Sequence, residues 1–251
     1  MSPSTQTVGK RFRLDADADV TKATQKLRLL KKLKCTQKYE KLAWAGGAQM
    51  VAGVDEVGRG CLFGPVTAAA VILRPDHRLR GLRDSKLLDR KTREKLAPRI
   101  RENCLAWVIA SVDVAVIDEI NIYWASKRAM EEAVSKLAPA PDHLLIDALR
   151  INFECDQTAI LHGDAVSVSI AAASIIAKVE RDAMIRELDA VYPGYGLSSN
   201  VGYRSPIHLQ ALKEKGPTPL HRMSFAPVWL STQPQQLMEF LREEEEKAIS
   251  N

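Results

Sequence analysis

Apolar residues along the chain fall into two kinds of run. Residues 50–54, 65–73 and 104–112 are short, dense in Val, Ile, Leu and Ala, and predict buried strands; 143–146 and 159–161 predict two more. Windows at 90–102, 121–137, 166–189 and 206–215 predict helices. Strands mixed with helices on a single core make an α/β layer architecture the natural expectation. The longest apolar stretches, such as Val66–Leu73 with its single Thr, fall well short of the ~20 residues a membrane helix needs, so no membrane association is expected.

The ends differ from this middle. Residues 1–20 are polar, and 21–43 lack Gly and Pro and set Leu27, Leu29, Leu30 and Leu33 among lysines, which predicts a basic helix. Gly46 and Gly47 then mark a boundary. Residues 235–247 predict a last helix, with an acidic, solvated face at Glu243 to Glu246. The organisation expected is a basic extension over 1–48, an α/β body over 49–231 and an acidic tail over 232–251.

Charge sharpens that division. The 251 residues carry a net charge of +5, yet residues 1–50 alone hold eleven Lys or Arg against four Asp or Glu, so the rest is slightly acidic. A basic arm before a near-neutral body suits a protein that holds a polyanion, although a solvated basic helix would look the same. With 46% hydrophobic and 27% charged residues the chain has ordinary globular usage. Cys35, Cys61, Cys104 and Cys155 are scattered, which fits neither a disulfide framework nor a zinc knuckle. The first twenty residues lack the apolar core of a secretory signal, so a cytoplasmic protein is expected.

Candidate chemistry lies at strand ends. The run VAGV leads into Asp55-Glu56, and HLLI leads into Asp147. A carboxylate there borders low-dielectric surroundings, where its charge is costly unless compensated. One such Asp is commonly a turn residue; two on neighbouring strands would bring their ends together. Asp164 precedes an Ala/Ile-rich helix, where an N-cap is the simple role. In that helix Ser167, Ser174, Lys178 and Arg181 fall on one stripe, which is either a solvated face or one turned toward an anion beside Asp164. If the four carboxylates converge, hard divalent cations are the physical solution, Mg²⁺ or Mn²⁺ by preference. Two ions roughly 4 Å apart would stabilise both oxygens of a phosphodiester displacement.

A glycine-rich turn follows Asp55-Glu56: Val57-Gly58-Arg59-Gly60-Cys61-Leu62-Phe63-Gly64-Pro65. It matches neither nucleotide fingerprint, but its glycines let backbone groups approach a ligand, with Arg59 available for a phosphate. A tight hairpin turn is the plain reading. Tyr192 to Gly196 and Gly202-Tyr203 form a second Gly/aromatic loop, whose rings either stack on bases or sugars or fill core gaps.

Taken together, AGVDEVGRGCLFGPVTAAAVIL, RDSKLL, LLIDAL, HGD with SIAAASIIAKVERD, YPGYGLSSNVGYRSPIHLQAL and GPTPLHRMSFAPV closely resemble ribonuclease HII, the type 2 ribonuclease H. The resemblance spans about residues 50–228. It implies a ribonuclease H-like α/β fold around a mixed five-stranded sheet, followed by helices. It implies that Asp55, Glu56, Asp147 and Asp164 are the metal-binding catalytic carboxylates of a two-ion site for Mg²⁺ or Mn²⁺. By the same matching, Gly58, Arg59 and Gly60 form the loop whose backbone reads a ribose 2′-hydroxyl. Tyr203 senses that hydroxyl and stacks on the next sugar. Lys86, in Asp84-Ser85-Lys86, would contact phosphate, and Ser174 and Lys178 would meet the nucleic-acid backbone.

The activity implied is hydrolysis of the RNA strand in RNA/DNA hybrids and incision 5′ of single ribonucleotides in duplex DNA, leaving 3′-hydroxyl and 5′-phosphate ends. It would serve ribonucleotide and RNA-primer removal during DNA replication and repair. The family implies a monomer. The arm is expected to add salt-sensitive duplex affinity without choosing the cleavage site. Gln236-Leu237-Met238-Glu239-Phe240 loosely resembles a sliding-clamp peptide, or is simply amphipathic helix. Two competing readings are a DNA nuclease or recombinase of the same fold, and a non-catalytic binder. The GRG loop with Tyr203 argues against the first; four intact carboxylates argue against the second.

Overall fold

The computed structural model describes residues 32–82 and 84–233. Its strands are β1 (Val51–Val57), β2 (Val66–Leu73), β3 (Cys104–Val112), β4 (His143–Asp147) and β5 (Asp156–Ile160). They form one mixed sheet in the order β3-β2-β1-β4-β5. The β1–β2 and β2–β3 pairs are antiparallel, and β4 and β5 add in parallel beyond β1. The helices are α1 (Lys38–Ala45), α2 (Arg90–Glu102), α3 (Val114–Ser135), α4 (Gly163–Val166), α5 (Val168–Glu187), α6 (Leu197–Asn200), α7 (Pro206–Lys215) and α8 (Ala226–Ser231). The expected α/β architecture with a mixed five-stranded sheet is present. No helix among the described residues is long and apolar enough to cross a membrane.

The sheet is covered on both faces, which accounts for the unbroken apolar run of β2. Ala68, Ala70 and Ile72 pack on the α3 side with Ala129 and Met130, while Ala69, Val71 and Leu73 pack on the side of α2 and α5. A strand buried on both faces reads as continuous hydrophobicity rather than alternation. On the second face α5 lies directly against β1: a Cβ built on Gly53 would fall 2.1 Å from the Ser169 carbonyl carbon. The small side chains Ala171, Ala172 and Ala173, all fully buried, allow the same close approach along the helix.

Several boundaries differ from those expected, each for a local reason. The basic helix expected over 21–43 is interrupted, because residues 33–37 are not helical and Thr36 instead pairs in parallel with Ser167; the part before residue 32 lies outside the described residues. The helix expected at 121–137 begins earlier, at Val114. Asn121 breaks it with φ 66°, and the Asn121 side-chain oxygen accepts from the amides of Tyr123 (2.9 Å) and Trp124 (3.3 Å), restarting the helix as an N-cap does. The helix expected at 166–189 is split at extended Ser167, which caps α5. Strand β5 starts three residues before its apolar end, because an edge strand tolerates the polar Asp156, Gln157 and Thr158. The helix expected at 235–247 lies outside the described residues.

Beyond the sheet, α6, α7 and residues 218–222 enclose a buried histidine pair. The Thr218 amide donates to His221 Nδ1 at 2.9 Å, and the two Nε2 atoms of His221 and His208 lie 3.0 Å apart. His208 Nδ1 lies 2.9 Å from the Tyr203 carbonyl oxygen. One tautomer set satisfies the chain, with His221 donating to His208 and His208 donating to Tyr203. Burial, then the neighbouring His208, pushes His221 down to about 3, whereas a free histidine titrates near ~6.5. Between those pH values the unfolded chain takes up a proton that the folded chain refuses. This contribution to stability is therefore complete above about pH 6.5 and is lost on acidification, at up to about 1.4 kcal/mol per pH unit. Urea unfolding between pH 7.5 and 5 should show that acid-side slope, and His221→Gln should make it shallower. Equal slopes in the two proteins would refute the assignment.

Candidate active site

The register of the sheet brings the acidic residues together. Val54 of β1 pairs with Ile146 of parallel β4, so Asp55 and Asp147 follow side by side at the same strand ends. Asp164 arrives in α4, just past β5, and the Gly163 amide donates to Asp147 Oδ1 at 2.8 Å. A cleft of about 260 Å³ opens there. Nine of the eleven expected site residues line it: Asp55, Glu56, Gly58, Arg59, Gly60, Lys86, Ser174, Lys178 and Tyr203. Asp147 and Asp164 join it through Asp55 and through Lys86, whose Nζ lies 3.7 Å from Asp164 Oδ2. A larger hollow of about 580 Å³ lies at the other end of β4, beside α1 and His143, and contains none of these carboxylates.

The electrostatics are those of crowded anions. Burial raises Asp55 well above the usual carboxylate range, and the charges of Glu56, Asp147 and Asp164 raise it further, against a hydrogen bond from Ser174. Burial also raises Glu56, with Arg59 opposing; Arg59 Nη1 donates to Glu56 Oε1 at 3.2 Å. Asp164 is pushed up to about 7 by burial and then by Asp84, with Lys86 opposing. Partial burial disfavours the Lys86 charge, but Asp164, Asp84, Asp55 and Asp147 outweigh it and raise its pKa.

Hard oxygen donors that repel one another suit a hard divalent cation, and Glu56 Oε2 is buried with no hydrogen-bond partner among the described residues. As they stand, no three His, Cys, Asp or Glu side chains among the described residues form a group that could hold a metal ion. The carboxylates face one another at Coulomb range, and the residue types fit Mg²⁺ or Mn²⁺.

Two buried arginines hold the glycine loop from behind. Arg181 donates to the carbonyls of Phe63, Pro65 and Val201 at 2.9–3.0 Å, and Arg222 donates to those of Gly64 (2.9 Å) and Arg59 (3.0 Å). Gly58 has φ 91°, and a Cβ there would fall 2.3 Å from Arg181 Nε, so this position requires glycine. Arg181 thus does not share an anion-facing stripe with Ser174: it is fully buried, as is Ser167, which caps α5. Helix α5 is buried on every side from Val168 to Ala177, and spacing alone cannot tell which neighbour a stripe meets.

The remaining residues play supporting parts. Ser174 Oγ and Ser85 Oγ are 2.9 Å apart, while Asp84 is buried and accepts from the Lys86 amide at 2.8 Å. Lys178 pairs with Asp182 at 2.8 Å and lies 4.8 Å from the Tyr203 ring centre. Arg222 and Asp182 were not singled out from the sequence, and Asp84 entered only as the first residue of Asp84-Ser85-Lys86, with no role of its own. For Asp84 the signal available was its adjacency to Lys86; a lone Arg or Asp in a helical or loop run offers none.

Comparison with known proteins agrees with this fold. A family model described as ribonuclease HII matches residues 52–228. A ribonuclease HII of Koribacter versatilis (strain Ellin345) is 64% identical over 222 residues, covering 88% of this chain and 87% of that relative. The solved ribonuclease H2 of Pyrococcus horikoshii OT3 has a TM-score of 0.66 at 27% identity, covering 76% of this chain and 99% of that one. The ribonuclease HII of Archaeoglobus fulgidus, solved in complex with PCNA, has a TM-score of 0.59 at 30% identity, covering 69% and 93%.

Proposed function

The chain belongs to the ribonuclease HII family, endonucleases that degrade the RNA of RNA/DNA hybrids, and from that premise we propose that its cleft also incises duplex DNA 5′ of single embedded ribonucleotides. The products would carry 3′-hydroxyl and 5′-phosphate ends, and the role would be removal of ribonucleotides and RNA primers during replication and repair. The observation that supports this reading is the meeting of Asp55, Glu56, residues 58–60 and Tyr203 in one cleft, with Asp147 beside Asp55 at the neighbouring strand end.

In this proposal Asp55, Glu56, Asp147 and Asp164 would hold two divalent cations, Mg²⁺ or Mn²⁺. Such ions, when bound, stabilise the attacking and departing oxygens of the phosphodiester. The backbone at residues 58–60 faces the ribose and reads its 2′-hydroxyl, the local group that separates ribose from deoxyribose. Tyr203 packs on the neighbouring sugar, with Lys178 over its ring limiting the ring's freedom. Lys86, mostly exposed beside Asp164, meets a phosphate. The basic residues of the N-terminal extension add salt-sensitive affinity for the duplex. The clamp-like peptide at 236–240 lies outside the described residues; the PCNA complex of the Archaeoglobus fulgidus relative supports weak clamp contact as part of the proposal. The enzyme would act as a monomer.

A cleavage assay on duplex DNA bearing one ribonucleotide, against an all-DNA duplex and with or without Mg²⁺ or Mn²⁺, tests the reading. Cleavage of the all-DNA duplex, or none at the ribonucleotide, would refute it. Stacking of a base or sugar on an aromatic side chain is worth about 1–3 kcal/mol, so Tyr203→Ala should slow incision at the single ribonucleotide by roughly 10- to 100-fold. Its thermal midpoint should change little, because the ring is partly exposed. Unchanged incision would remove Tyr203 from recognition.

A further inference from the structure

Glu40 lies twelve residues before the segment matched by the family model, yet it is 1% exposed. Its Oε1 accepts from the Ser167 hydroxyl at 2.6 Å and from the Ser169 amide at 2.9 Å, while Oε2 is buried with no partner among the described residues. A buried carboxylate needs compensation, and the positive end of the 20-residue helix α5 supplies it. Ser167 is the cap of that helix, accepting from the Ile170 amide at 3.3 Å, so Glu40 orients the capping hydroxyl from outside the helix.

The same segment grips the chain a second time. The Thr36 amide donates to the Val166 carbonyl at 3.1 Å, and the Val168 amide donates to the Thr36 carbonyl at 3.3 Å. Ser167 alone separates α4, which carries Asp164, from α5, which carries Ser174 and Lys178, along the chain. Four hydrogen bonds, one donated by Thr36 and three accepted by Thr36 and Glu40, therefore bracket the joint that follows Asp164. Helix α1 is itself seated, with Ala43 packed among Val51, Leu145, Ile160 and Ile170.

We propose that Glu40 is a positioning residue for Asp164, and that residues 36–45 act as a clamp that sets the Asp164 turn against α5. The end of the basic extension is then a working part of the catalytic unit, whatever its lysines do for duplex affinity. The proposal rests on the reading of Asp164 as a metal ligand.

The test uses the full chain and three readouts: Mn²⁺ binding without substrate, followed by the electron paramagnetic resonance of free Mn²⁺; kcat and KM on an RNA/DNA hybrid; and the thermal midpoint. Loss of a residue that orients a metal ligand typically weakens metal affinity or activity 10- to 100-fold, so Glu40→Ala should weaken Mn²⁺ binding and lower kcat by about tenfold, with KM for the hybrid within about twofold. Glu40→Gln, which keeps an acceptor for Ser167 and Ser169, should recover most of the loss. If Glu40→Ala does not fold, Ser167→Ala removes the same contact more gently and should show the same split at smaller size. Wild-type Mn²⁺ binding and kcat in the alanine variants would overturn the clamp, as would equal losses in Glu40→Ala and Glu40→Gln. Asp164→Asn, run in parallel, separates the two ideas. If it leaves Mn²⁺ binding and cleavage intact, the metal-site reading falls; if it abolishes both while Glu40→Ala keeps both, only the clamp falls.

Discussion

Replacing Asp55 with Asn should abolish cleavage while making the metal-free protein more stable. The two effects share one cause. Asp55 is buried, and its charge is opposed by burial and by Glu56, Asp147 and Asp164. Asn keeps the shape and an oxygen to accept from the Glu56 amide, a bond of 2.8 Å in the wild type, but it removes one negative charge from the crowd. Without metal, that relieves repulsion. With metal, the proposed two-ion site would lose a ligand charge, and turnover should fall by at least roughly three orders of magnitude, about 4 kcal/mol of barrier. Hydrolysis of a labelled hybrid in Mg²⁺ checks the first effect, and the thermal midpoint in chelator at neutral pH checks the second. Near-normal turnover, or a lower midpoint in chelator, would contradict the electrostatic account.

Gly53→Ala should act in the opposite way, destroying stability without touching a charged group. The added Cβ would meet Ser169 C at 2.1 Å, Ser169 O at 2.3 Å and Ile170 N at 2.5 Å, all backbone atoms, so no side chain can swing away. Relief requires lifting α5 off β1. Overpacking of a core costs about 1–3 kcal/mol and occasionally more; with backbone on the far side, at least about 3 kcal/mol is expected, a large share of a typical ~5–15 kcal/mol. For a domain of this size that lowers the thermal midpoint by roughly 6–12 °C. A midpoint within about two degrees of wild type would show that the helix yields more easily than its packing implies.

The core elements were legible because strand burial and helix periodicity leave direct marks on composition. Strand β3, helix α2 and helix α7 fall where the apolar pattern places them. The convergence of Asp55 and Asp147 was legible for a similar reason, since each ends an apolar strand. What escaped is information held in partners. Arg181 shares a helical stripe with Ser174, and only the neighbouring loop shows that its guanidinium is spent on carbonyls. Glu40 looked like one charge in a basic, solvated helix, because nothing near it in the chain indicates Ser167, a contact 127 residues away. Asn121 read as the start of a helix because it does restart one; the turn before it packs on the core and escaped notice.

The loop over residues 58–65 is gripped through its carbonyl oxygens by Arg181 and Arg222, each fully shielded from solvent. Counterions weaken interactions between exposed charges far more than contacts inside a protein. If residues 58–60 inspect the sugar, ionic strength governs how long the enzyme stays on a duplex but leaves the gauge itself undistorted, so that adhesion and fidelity are separate properties of one surface.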